Sequence, residues 1–143
     1  MKRISPVPAL LATALLLGAC STTGTIQKTD LMHHHWNLSA IDGAAVDAAI
    51  KSDLEIGENL SIHGLAGCNR FFGTATLKQN VLKAEPLAST QMACPPAQQQ
   101  VENAVLGTLV KGAVVHIVAG NQEQQLKLVG PKHTLTYQLS DFM

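Results

Sequence analysis

The sequence predicts an α+β domain made mostly of antiparallel strands: a small, incompletely closed β-barrel with one amphipathic helix over the gap. Three observations carry this expectation. Apolar and polar residues alternate with period two over most of residues 33–143. A single segment, opened by Pro95-Pro96 and closed by Gly112, has helical spacing instead. Short turn signals separate the alternating runs, which suits a chain of about eight short strands.

Taken in order, Trp36 and Leu38 alternate with Asn37 and Ser39 up to an Asp42-Gly43 turn, a strand that ends in a hairpin signal. Val46 to Ile50 is expected to form a short helical turn. Weaker strands are expected at Leu54–Ile56, Leu60–His63, Phe72–Leu77 and Val81–Leu87, with Gly57-Glu58-Asn59 and Gln79-Asn80 as breaks. Ala97, Val101, Ala104, Val105 and Leu109 then keep i, i+3, i+4 spacing over about four turns. Proline at the start of that stretch, Lys111 in its last turn and Gly112 just beyond it fit the known asymmetry of helix ends. Val114–Ala119 is a β-branched run closed by Gly120-Asn121. Leu126 and Leu128 alternate with Gln125 and Lys127, Gly130-Pro131 turns the chain, and Leu135, Tyr137 and Leu139 alternate with Thr134, Thr136 and Gln138. Each of these last runs has the pattern of a strand with one buried face.

The chain has 143 residues, enough for one domain and a short appendage. Ten basic residues balance ten acidic ones and the pI is near 7, so no broad positive field marks a nucleic-acid binder. Five aromatic residues, Trp36, Phe71, Phe72, Tyr137 and Phe142, are too few for a stacking platform. The N-terminus has a composition of its own. Lys2 and Arg3 precede an uncharged stretch from Val7 to Ala19, shorter than the ~20 residues of a membrane-spanning helix. Residues 1–19 therefore read as a secretory signal. The ending Leu17-Gly18-Ala19-Cys20 resembles the bacterial lipobox, which implies that Cys20 becomes the first mature residue and carries acyl chains. Ser21, in place of Asp after that cysteine, implies by the same resemblance export to the outer membrane, with the domain facing the periplasm. Without the signal, eight basic residues face ten acidic ones and the net charge is −2. Residues 20–32 are expected to be the lipidated Cys20 followed by a flexible tether, Ser21 to Met32, reaching at most ~40 Å. Residues 33–143 are expected to be the folded domain.

Within that domain Trp36-Asn37-Leu38 comes first, and Gly67-Cys68-Asn69-Arg70-Phe71 stands at its centre. Thr90, Met92 and Cys94 follow with the spacing T-x-M-x-C, then the helix containing Glu102, and finally Leu135-Thr136-Tyr137. This combination resembles the META domain family of bacterial envelope lipoproteins, and the likeness covers essentially all of residues 33–143. The resemblance implies a cracked β-barrel with a packed helix, an association with heat induction and novobiocin resistance, no enzymatic reaction, no cofactor and no catalytic residues. A similar barrel occurs in pilot lipoproteins that help secretins reach the outer membrane, an analogy of fold alone.

Cys68 and Cys94 are the thiols left once Cys20 is acylated. In an oxidising compartment they are disulfide candidates, and closing about 26 residues would stabilise the fold by roughly 3.5 kcal/mol. Two buried free thiols, or a catalytic thiolate, are the alternatives. A thiolate needs a base, and the nearest histidine in sequence, His63, alternates with Ile62 in a way that suits a surface position. His33 and His35 would share one face of a strand, but a third metal ligand at fixed spacing is missing, so no metal site is expected. Arg70 is expected to pair with Glu102 or Glu85, and Phe71 and Phe72 to point to opposite faces. No paired carboxylates, Ser-His-Asp set or phosphate-binding glycine loop stands out.

These readings converge on a non-catalytic, monomeric lipoprotein, anchored to the membrane through Cys20 and engaged with an unknown envelope protein. The rival expectations are a barrel that carries a lipid or other apolar ligand, and a pilot-like assembly factor. A Cys20→Ala variant is expected to accumulate as an unprocessed, globomycin-insensitive precursor on an immunoblot; normal maturation of that variant would contradict the anchor.

Overall fold

The structure is a computed structural model that describes residues 24–119 and 123–140. The signal segment, Cys20 and Phe142 lie outside the described residues. The strands are β1 (His34–Ile41), β2 (Ala44–Ala45), β3 (Asp53–Ile56), β4 (Ser61–Leu65), β5 (Arg70–Lys78), β6 (Val81–Ser89), β7 (Ala113–Ala119), β8 (Gln124–Val129) and β9 (Thr134–Leu139). The helix α1 (Pro96–Lys111) lies between β6 and β7. All pairings are antiparallel, the order is β2-β1-β3-β4-β5-β6-β7-β8-β9, and β9 pairs back onto β1. Eight strands thus close into a ring, with the two-residue β2 appended to β1, and closure leaves no long sheet edge open.

The alternation seen in the sequence is the pleat of these strands. Leu135 and Tyr137 of β9, Leu126 and Leu128 of β8, and Phe71 and Ala75 of β5 point inward, while their neighbours face solvent. Two tight turns use paired left-handed residues, Asp42-Gly43 and Gln79-Asn80, the conformation whose twist matches an antiparallel hairpin. Pro86 sits inside β6 without breaking it because the ladder slips there: Glu85 and Pro86 together face Thr74 of β5. Across this bulge the backbones approach so closely that a Cβ at Gly73 would collide with the Pro86 carbonyl.

β6 and β7 meet only through Val81↔Val114 and Leu82↔Ala113, the crack that the sequence predicts. The chain that leaves β6 forms α1, which lies against β6, reaches β9 and puts Val101, Ala104, Val105 and Leu109 into the common core. Pro96 occupies the first helical position, where its missing N–H costs nothing, and Gly112 ends the helix at φ 90°.

Two expectations are corrected. Part of the predicted tether is folded: Lys28–Asp30 form a 3-10 turn, Leu31 is wholly buried, and Ile26 and Met32 pack on the core. The Ile26 amide donates to Asn80 Oδ1 at 2.8 Å, and Asn80 O accepts from the Val115 amide at 2.7 Å. One turn residue thereby joins the N-terminal segment, the β5–β6 hairpin and β7, so the folded unit begins before His33. Val46–Ile50 is not helical. Asp47 takes the Ala49 amide on its side chain and the Ile50 amide on its carbonyl, an Asx-type turn that diverts the chain.

Trp36, Phe71 and Tyr137 fill the barrel interior and are at most 1% exposed. The Tyr137 hydroxyl has no hydrogen-bond partner among the described residues, and burial, reinforced by the Asp53 charge, pushes its ionisation well above the ordinary tyrosine value. An unpaired buried hydroxyl costs about 1–3 kcal/mol. Tyr137→Phe should therefore leave stability unchanged or raise it by up to about 1 kcal/mol in urea unfolding. A loss larger than that would show that the hydroxyl has a partner.

Candidate functional site

The motif residues meet at the end of α1 nearest its start. Gly67, at φ 131°, carries the β4–β5 connection across the helix, where a Cβ would lie 3.0 Å from Gln98 O and 3.2 Å from Val101 Cγ1. That approach inserts Asn69, which is 3% exposed. Its amide donates to Glu102 Oε2 at 2.8 Å and its Nδ2 donates to Glu102 Oε1 at 3.0 Å and to Met92 O at 3.2 Å. Its Oδ1 accepts from the Met92 amide at 2.7 Å and from the Thr90 hydroxyl at 2.9 Å. Thr90 Oγ1 in turn accepts from the Arg70 amide at 3.0 Å. Beside this node Cys68 and Cys94 are joined, with Sγ atoms 2.09 Å apart. One asparagine thus fastens the β4–β5 loop, the strap from Ser89 to Pro95, and α1.

This arrangement displaces some expected contacts. Glu102 is spent on Asn69, and Glu85 pairs with Lys83 at 2.8 Å, so Arg70 takes neither carboxylate and its side chain is exposed. The Lys83 ammonium also holds the Glu85 carboxyl below its ordinary value. Phe71 is buried and Phe72 is 59% exposed, on opposite faces of β5 as their spacing requires. Met92 is 60% exposed above the Asn69 node.

The histidines are dispersed among carboxylates. His33 is left-handed at φ 63° and lies before β1, so it does not share a strand face with His35. His33 approaches Glu58 at 3.5 Å, His35 meets Asp53 at 3.2 Å, and His63 meets Glu55 at 3.2 Å on the outer surface. Among the described residues, Cys68, Cys94 and Glu102 bring ligand atoms within 4.8 Å of one another, and two of these are the disulfide.

A second feature was not expected from the sequence. A groove of about 430 Å³ runs between α1 and the β8–β9 turn, with Ala104, Gly107 and Thr108 on one side and Pro131, Lys132 and His133 on the other. The turn is fixed at both ends. Gly130 lies so close to α1 that a Cβ there would sit 3.0 Å from Thr108 Cγ2. Asp42 accepts from His133 Nδ1 and from the Thr134 amide, each at 2.8 Å, while its own amide donates to Thr134 O at 2.8 Å. These bonds, led by the one from His133, hold the Asp42 carboxyl below its ordinary value. The contribution of the ionised carboxylate is therefore complete above the pKa of an unfolded aspartate and is lost as pH falls through the lowered value.

A small, closed antiparallel barrel with one covering helix, locked by a polar node at the mouth of its seam, is the class of domain defined here. The chain belongs to the META domain family, whose match spans residues 29–142. It is similar to the Heat shock protein HslJ of Escherichia coli (strain K12), with 35% identity over 141 residues covering 96% of this chain and 97% of that protein. It is also similar to a protein solved by NMR, with 34% identity and a TM-score of 0.71 over 82% of this chain and 98% of the other. An NMR structure of a protein from Burkholderia xenovorans matches with 26% identity and a TM-score of 0.68, over 97% of this chain and 100% of that one. The expected family and its small α+β barrel are therefore what the chain has.

Truncating Asn69 keeps its backbone amide on Glu102 Oε2 but removes the Nδ2 donor from Oε1 and the partners of Thr90 and Met92, and each polar group left buried and unpaired costs about 1–3 kcal/mol. Asn69→Ala should lose roughly 3 kcal/mol in urea unfolding of the oxidised protein. The double variant Asn69→Ala, Glu102→Leu should lose less than the sum of the two single variants, and additivity would contradict the coupling.

Proposed function

We propose that this META domain protein is a non-catalytic envelope lipoprotein, anchored by acyl chains on Cys20 at the outer membrane, that docks on an envelope protein and supports tolerance of heat and novobiocin. The observation that carries this reading is where the motif's polar groups are used. Asn69, Thr90 and Glu102 bond to one another and to the backbone, so the motif builds a scaffold. A reacting group would need an available nucleophile or base, and here Cys68 and Cys94 are in the disulfide and His63 is on Glu55. The outer surface is then the working part, and the same motif region presents Phe72 and Met92 there.

The stress role rests on the likeness to a protein named as a heat shock protein, and the anchor rests on the lipobox-like ending at Cys20. The carrier reading is less well supported, because Trp36, Phe71 and Tyr137 occupy the space an apolar ligand would need. A strain lacking the gene should grow worse than its complemented counterpart at elevated temperature and on novobiocin. Growth indistinguishable from wild type under both conditions would overturn the stress role.

A further inference from the structure

The groove beside α1 takes no part in the Asn69 node, and the fixed charges on its largely apolar lining are of one sign. Lys111 lines it from the last turn of the helix, and Lys132 and His133 line it from the β8–β9 turn. No Asp or Glu is among its lining residues. Asp42, which is not among the lining residues, is bonded to His133 Nδ1 and the Thr134 amide. Along the helix, Gln100, Asn103, Gly107 and Lys111 recur on one face and line a wall roughly 16 Å long, from the rise of 1.5 Å per residue. That length accommodates about five residues of extended chain.

Gly107 supplies an independent observation. It lies inside α1, where alanine would be favoured by about 1 kcal/mol. Nothing lies within 4 Å of a Cβ built there, so no close approach requires glycine. Its effect is to keep the groove open midway between the amides of Gln100 and Asn103 and the charge of Lys111.

We propose that this groove binds an extended acidic segment of the envelope partner, with its carboxylates at Lys111 and Lys132 and its backbone along Gln100 and Asn103. The inference rests on the docking function proposed above and names the chemistry of the partner. Charge complementarity selects an acidic occupant, and the Gln100 amide, together with the Nδ2 of Asn103, whose Oδ1 accepts from Gln99 Nε2 at 3.0 Å, selects a peptide over an acyl chain, since they offer the donors and acceptor that a backbone uses. Both walls are fixed before binding, by the Gly130–Thr108 contact and by the Asp42 clamp, so little ordering is needed when the segment enters.

The test is photo-crosslinking of the full-length protein in cells, with a benzophenone amino acid placed at Gln100 in the groove or at Phe72 outside it. The expected result is an adduct from Gln100 whose crosslinked peptide carries an excess of Asp and Glu. Its yield should fall at least five-fold in Gly107→Leu, which fills the groove, and in Lys111→Glu, Lys132→Glu. Gly107→Leu should melt no lower than the parent protein, which separates blocking from unfolding. A synthetic peptide of the captured sequence should bind the purified protein in fluorescence anisotropy, weaken with added salt, and be lost in the same variants. Adducts from Phe72 alone, a crosslinked segment without acidic excess, or an adduct indifferent to Gly107→Leu would overturn the groove while leaving docking intact. An adduct to phospholipid alone would overturn it in favour of a membrane contact. Absence of adducts from both positions would remove the docking function as well.

Discussion

Glu102 puts a carboxylate into a site where it is 6% exposed, with no cation paired to it among the described residues, and the donors of Asn69 are what make that placement tolerable. A buried charge is costly unless fully hydrogen-bonded, so the two side chains are obliged to occur together. Their union also decides the position of everything attached to them. Asn69 sits between β4 and β5, Glu102 sits on α1, and the remaining polar atoms of Asn69 hold Thr90 and Met92 on the strap between β6 and the helix. The node orients the helix along β6, beside a weak point of the barrel.

That weak point is the β6–β7 seam. A closed barrel in which every pair of strands is fully laddered needs no cover, but two residue pairs leave most of β7's inner edge to be satisfied otherwise. α1 packs along β6 and reaches β9, and its small and branched side chains Val101, Ala104 and Val105 enter the common core, where they allow close packing. Asn80 reinforces the far side by accepting the Val115 amide on its carbonyl. The short seam and the helix beside it therefore share β6, with the apolar face of α1 packed on that strand and the Asn69 node holding the start of the helix. The opposite helix face, around Gly107, is left free of that structural duty.

Legibility in the sequence followed the range over which each signal acts. β9 was readable because Leu135 and Tyr137 alternate with polar residues on one strand, and α1 because Pro96 and Gly112 mark its ends locally. The segment from Ile26 to Met32 was not readable as folded. It is docked by one fully buried side chain, Leu31, and one bond to Asn80, 54 residues from Ile26, and neither leaves a periodic trace. Asp47 overrode an apolar pattern by capping its own turn. The motif itself was visible, yet the assignment of Glu102 to Arg70 followed charge. The structure follows burial, which rewards a neutral donor pair that fits over an arginine that would have to be desolvated. The groove was invisible for a geometric reason: Gly107 and Lys132 belong to different elements and share a wall only after the turn packs on Thr108.

The docked N-terminal segment has a mechanical corollary. Because Ile26 is bonded to Asn80, the leash that runs from the anchor proposed at Cys20 spans about six residues, at most roughly 20 Å of chain. A barrel held by such an anchor would sample a thin shell above the bilayer. Its effective concentration toward anything at the membrane surface would be correspondingly high, with targets deeper in the compartment out of reach. With the proposed anchor in place, the attachment point beside Asn80 would also become a pivot that keeps the β5–β6 hairpin nearest the lipid and limits how the remaining faces of the barrel are presented.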